Sequence, residues 1–137
     1  MYNYEKLDLY TDGGSRGNPG ISACAYFVFQ ENNLIDFGGK YLGISTNNQS
    51  EYNGLIMGLD TISKLVPKLV QIYSDSELLV KQINGLYKVK DKNIVQLFQR
   101  VRNILESINF SVEFIHIPRS KNFFADKLVN LILDSNI

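Results

Sequence analysis

The chain is predicted to be an α/β protein built on a five-stranded mixed sheet, three antiparallel strands followed by two parallel ones. Three observations predict this. The first third carries β-patterned segments separated by Gly, Asn and Pro; the hydrophobic period then changes from two to between three and four; and strand-like and helix-like segments alternate from there to the end. With 137 residues, 45% of them hydrophobic and 20% charged, the chain suits one domain, residues 1–137, with a substantial core.

Val, Ile, Phe and Tyr dominate Glu5–Thr11, Ile21–Gln30 and Leu34–Leu42, which are read as a β-meander. From Asn48, the spacing of Tyr52, Leu55, Ile56, Leu59 and Ile62 predicts an amphipathic helix ending before Pro67. Leu69–Tyr73 reads as a short buried strand. Ser76–Ile83 has helical spacing with Asn84-Gly85 as its stop. A longer helix is capped by Asp91 and carries Ile94, Leu97, Phe98, Val101, Ile104, Leu105 and Ile108 as one stripe. Ser111–Ile117 alternates as the last strand. Phe123–Leu133 is a terminal helix expected to pack Phe124, Leu128, Leu131 and Ile132. Strand–helix–strand crossovers make strands four and five parallel to strand one.

Lys+Arg and Asp+Glu number 14 each, which excludes a histone-like basic binder but not a locally charged groove. One cysteine, Cys24, lies in an apolar stretch and has no disulfide partner, which suits a reducing compartment. No apolar run reaches the length of a membrane span, and the N-terminal residues lack the apolar region of a leader. These features predict a cytoplasmic protein with no membrane partner.

Four acids, Asp12, Glu51, Asp75 and Asp126, fall at element boundaries that this topology brings to one sheet edge. Asp12 and Asp75 end parallel neighbouring strands, where ligand sites of open α/β sheets lie. Glu51 is placed in the first turn of the first helix and Asp126 in the first turns of the last. Converging carboxylates raise one another's pKa unless a cation intervenes, and oxygen ligands without Cys or His favour Mg²⁺ or Mn²⁺. Each acid also has a plain structural use. Glu51 stands three residues after Asn48, as in a capping box; Asp75 suits a helix cap; Asp126 suits a solvated helix face; Asp12 suits a turn before Gly13-Gly14. The glycine-rich segment Asp12–Gly20 reads either as a backbone cradle for a ligand or as a long irregular hairpin loop.

Four segments resemble the type 1 ribonucleases H: Tyr10–Gly20 (YTDGGSRGNPG), Thr46–Tyr52 (TNNQSEY), Tyr73–Ser76 (YSDS) and Pro118–Asp126 (PRSKNFFAD). They occur in the family's order across nearly the whole chain. The resemblance implies that fold, with helices on both faces of the sheet, and hydrolysis of the RNA strand of RNA–DNA hybrids. It implies two Mg²⁺ or Mn²⁺ ions per site. Asp12 would bridge both ions, Glu51 and Asp75 would complete one shell and Asp126 the other, and the products would carry 5′-phosphate and 3′-hydroxyl ends. It also places the backbone of Gly13 and Gly14 and the side chains of Asn47, Asn48 and Gln49 at the RNA 2′-hydroxyl, with Asn18 and Thr46 at a phosphate of the DNA strand.

Two departures stand out. Many relatives carry a histidine in a flexible loop after the last strand; here that loop is Pro118-Arg119-Ser120-Lys121, and His116 precedes it as a structural residue. Arg119 suits a phosphate contact but, being permanently charged, cannot act as a general base. The chain has no tryptophan, and Leu86–Lys92, with three lysines, is a short substitute for a basic protrusion, so binding should be weak and salt-sensitive. A monomer is expected. The readings left open are cleavage of double-stranded RNA as well, and a catalytically silent module that binds hybrids.

Overall fold

The computed structural model describes residues 1–136. Its elements are β1 (Tyr4–Gly17), β2 (Gly20–Gln30), β3 (Asn33–Ser45), α1 (Asn47–Leu65), β4 (Pro67–Ser74), α2 (Glu77–Ile83), α3 (Lys92–Ser107), β5 (Ser111–His116), a 3₁₀ turn (Arg119–Lys121) and α4 (Phe123–Asp134). The sheet order is β3-β2-β1-β4-β5, with β1–β2 and β2–β3 antiparallel and β1–β4 and β4–β5 parallel, as the sequence predicts.

Alternation along the strands sorts the sheet into two faces. Leu7 and Leu9 of β1, with Val70 and Ile72 of β4, meet Leu55, Leu59 and Ile62 of α1; α3 completes this core with Ile94 and Val101. Buried Tyr52 ties α1 to α2, its hydroxyl donating to Gln82 Oε1 at 2.9 Å. The opposite face is covered by α4, which packs Val129 and Leu133 on Ala23 and Ala25.

Four local expectations are corrected. The glycine-rich segment is not a loop: β1 runs on to Gly17 in register with β2, from Asp12↔Ala25 to Gly17↔Gly20. The first helix begins at Asn47 rather than Asn48. Its N-cap is Thr46, whose side chain accepts from Gln49 N while Gln49 Oε1 accepts from Thr46 N. That box leaves Glu51 in the second turn and not in a capping role. Similarly Ser76, not Asp75, caps α2. The face of α4 is also turned: Ala125, Val129 and Leu133 are buried, Leu128 and Ile132 flank them, and Phe124 and Leu131 are exposed. The reason is close approach. A Cβ at Gly39 would meet Ile132 Cδ1 at 2.5 Å and one at Gly14 would meet Val129 Cγ1 at 3.0 Å, so the helix lies on small residues through its own smaller row.

Candidate metal centre

The last β1–β4 pair is Tyr10↔Tyr73, and two residues beyond it on each strand come Asp12 and Asp75. β4 ends at Ser74 while β1 continues beside β2, so the sheet opens where these two carboxylates stand. Gly13 lets α1 close on that opening. A Cβ there would lie 2.3 Å from the Ser50 carbonyl carbon and 2.4 Å from Glu51 N. Gly54 works similarly, its Cβ position being 2.6 Å from Asp12 O. The absent side chains thereby deliver Glu51 to the strand ends.

Asp12, Glu51 and Asp75 each offer a carboxylate oxygen, all within 4.8 Å of one another. Asp12 and Glu51 are almost wholly buried. Burial, then the charge of Asp75, pushes the Asp12 carboxyl up to about 7. Burial and the two neighbouring acids hold Glu51 well above the carboxylate range. Asp75 is also raised, because burial outweighs the Arg119 guanidinium beside it. Glu51 Oε2 and Asp75 Oδ2 are buried without a hydrogen-bond donor. Buried charged oxygens without partners are costly, and a hard divalent cation removes that cost. The donor set therefore fits such an ion.

Asp126, in the first turn of α4, stands outside that trio. It lines a cleft of about 160 Å³ with Asp12, Gly14, Asn47 and Arg119, and its charge raises the Asp12 and Asp75 carboxyls. The trio and the fourth acid thus share one cleft without all meeting at one point. Arg119 Nε is 3.6 Å from Asp75 Oδ2, beyond hydrogen-bond length, and its side chain is 78% exposed.

The remaining residues of interest separate. Gly13, Gly14 and Asn47 line the cleft, and the side of Gly13 that a Cβ would occupy faces α1. The Thr46 hydroxyl and the Gln49 carbonyl are occupied by the capping box. Asn18 Oδ1 accepts from Asn47 N at 3.0 Å, pinning the β1–β2 turn to the helix start. Asn48 Oδ1 is buried with no partner. Sequence reasoning missed Asn122, which is buried and donates from Nδ2 to Thr11 O at 2.8 Å, fastening the start of α4 beside Asp12. Its only sequence signal was an Asn directly before a helix, which reads as a cap; in fact no side-chain cap bond forms there. His116 is the exposed last residue of β5, paired with Ser74. His116→Ala is therefore expected to change turnover by less than about threefold, as for exposed positions generally. A thousandfold loss in steady-state assays would contradict that placement.

A family model described as "Reverse transcriptase-like" matches residues 10–132. Ribonuclease HI of Halobacterium salinarum is 33% identical over 130 residues, covering 94% of this chain and 65% of that protein. A bifunctional protein of Mycobacterium tuberculosis is 33% identical over 132 residues, covering 95% of this chain and 36% of its own length. The chain thus spans about a third of its mycobacterial relatives. Among solved structures, LC11-RNase H1 in complex with an RNA/DNA hybrid superposes with a TM-score of 0.90 at 37% identity, over 95% of this chain and 98% of that one. Fold, motif order and these likenesses agree: the chain belongs to the type 1 ribonuclease H family.

Proposed function

We propose that the protein is a metal-dependent endoribonuclease that hydrolyses the RNA strand of RNA–DNA hybrids. The observation that carries this reading is the convergence of Asp12, Glu51 and Asp75, two of them with orphaned buried oxygens, beside a cleft that Asp126 also lines. A hybrid-binding relative of the same fold supports the choice of substrate. A module that only binds would gain nothing from crowding carboxylates beside a polyanion.

In this reading, Asp12, Glu51 and Asp75, with Asp126 across the cleft, would hold the divalent ions. Mg²⁺ or Mn²⁺, when bound, supplies activation of water and neutralisation of the scissile phosphate, leaving 5′-phosphate and 3′-hydroxyl ends. Asn122 acts indirectly by anchoring α4, and Gly13 also admits α1. Asn47, Asn48 and Gln49, with the backbone at Gly13 and Gly14, read the 2′-hydroxyl; Asn18 and Thr46 hold the DNA strand; Arg119 meets a phosphate. The residues act together as one catalytic domain, in a cytoplasmic monomer. Among the described residues no helix is long and apolar enough to cross a membrane.

The test is an end-labelled RNA–DNA hybrid incubated with Mg²⁺ or Mn²⁺ against EDTA, beside duplex RNA and single-stranded RNA. The expected result is metal-dependent cleavage of the hybrid's RNA strand, with affinity falling steeply as salt rises. Cleavage of duplex RNA would widen the substrate class. Binding without cleavage in either metal would overturn the enzyme reading in favour of a silent module.

A further inference from the structure

A second cavity lies apart from the carboxylate cleft. It measures about 350 Å³ and lies on the face of the sheet away from α1, beside the start of α4. Its walls include the rings of Tyr10, Phe29, Phe123 and Phe124 and the carboxylates of Asp8 and Glu31. Phe123 is 61% exposed and Phe124 56%, unusual for such rings unless something covers them. The rings are ordered against one another: Tyr10 stacks on Tyr73 at 4.7 Å, and Phe123 meets Phe124 edge-on at 5.6 Å.

Glu31 supplies a second, independent observation. It opens the two-residue turn between Gln30 and Asn33, with φ of 55°. Gly or Asn occupies such a position without strain, so a glutamate there is a local cost that turn formation does not explain. What it adds is a carboxylate at the wall of the cavity.

The cavity is separate from the carboxylate cleft but is built on the same two elements, β1 and α4. Tyr10 and Asp12 lie two apart on β1, on the same face of the strand, and Asp126 follows Phe123 by three residues on α4. Asn122, which anchors α4 beside Asp12, lines the cavity too, and Lys121 stands at its wall as the one cation among the lining residues. A polynucleotide engaged at the carboxylates necessarily extends past them, and a base freed from pairing needs a flat apolar surface and hydrogen-bond partners.

We propose that this aromatic cavity holds an unpaired nucleobase of a single-stranded segment adjoining the hybrid. The choice of polynucleotide rests on the nuclease reading. The rings of Phe123 and Tyr10 stack on the base, Glu31 accepts from its N–H groups, and Asp8, whose Oδ1 already accepts from the Tyr73 hydroxyl at 3.1 Å, offers its other oxygen. Guanine, with adjacent N1–H and N2–H donors, suits paired carboxylate oxygens best. Lys121 lies toward the phosphate.

The experiment is a titration of the whole chain in EDTA, so that nothing is hydrolysed, with guanosine 5′-monophosphate against ribose 5-phosphate, followed by amide NMR shifts. Guanosine monophosphate should move the amides of Tyr10, Glu31 and Phe123, and ribose 5-phosphate should not. Phe123→Ala should weaken that binding at least about fivefold, the effect of removing one stacking ring. Glu31→Asn should weaken it while leaving Tm equal or higher, because Asn tolerates positive φ. A hybrid with a single-stranded overhang should bind more tightly than a blunt one, and Phe123→Ala should bring that ratio close to one. Equal shifts with ribose 5-phosphate, shifts confined to the carboxylate trio, or an overhang preference that survives Phe123→Ala would each overturn the proposal. A hybrid neither bound nor cleaved, beside normal nucleotide binding in the cavity, would instead overturn the nuclease reading and support the base site.

Discussion

Asp12→Asn is expected to abolish turnover of the hybrid, by at least about 10³-fold, which corresponds to ~4 kcal/mol of transition-state stabilisation. The same change should stabilise the metal-free protein at pH 8. The Asp12 carboxyl is raised from 3.8 to about 7 in the fold. Between those values the folded chain keeps a proton that the unfolded chain has lost, so this group favours folding below about pH 4 and that contribution is lost as pH rises to about 7. An uncharged amide removes the loss. In EDTA, the variant's Tm should exceed the parent's at pH 8, and the gap should close toward pH 4. Relief of even ~1 kcal/mol would move Tm by about 3 °C in a chain of this size. Added Mg²⁺ should raise the parent's Tm more than the variant's. A variant with parental turnover would remove the metal-centre reading, and a variant less stable than the parent in EDTA at pH 8 would contradict the electrostatic account.

Gly13→Ala is expected to be nearly as damaging by a different route. Its Cβ would stand 2.3 to 2.4 Å from backbone atoms of Ser50 and Glu51, so no side-chain rotation relieves the contact. α1 must retreat from β1 and take Glu51 with it. Overpacking against backbone should cost about 3 kcal/mol or more, lowering Tm by roughly 10 °C, and turnover should fall with the displaced carboxylate. Gly14→Ala is the control: its nearest atom is Val129 Cγ1 at 3.0 Å, a side chain able to shift, so its effect on Tm should be smaller. Thermal melts and steady-state rates on both variants decide the matter. A Gly13→Ala protein with parental Tm would show that α1 does not depend on that close approach.

Much of this molecule is legible in its residues. The order of strands and helices follows from the switch in hydrophobic period, and the sheet's mixed direction follows from the crossovers. Asp12 and Asp75 can be placed side by side from sequence because each stands just past the run over which β1 and β4 pair, and the four motif segments point to the family in the same order. Local chemistry settles these features, since periodicity and turn residues act over a few neighbours.

Other features depend on partners far away in the chain. The capping box belongs to Thr46 and Gln49, two residues before the position of Asn48 and Glu51, and Asn18 secures that choice by binding the next amide of the helix. The stripe of α4 could not be read from its own hydrophobicity, because small residues on β1, β2 and β3 decide which row lies closest to the sheet. Gly13 lines the cleft, and only the helix that crosses it shows that its missing side chain also serves packing. Sequence alone therefore determined which side chains exist and which elements carry them. Tertiary structure decided how closely the elements approach, and so which carboxylates meet, because that distance depends on atoms absent from one segment and backbone supplied by another.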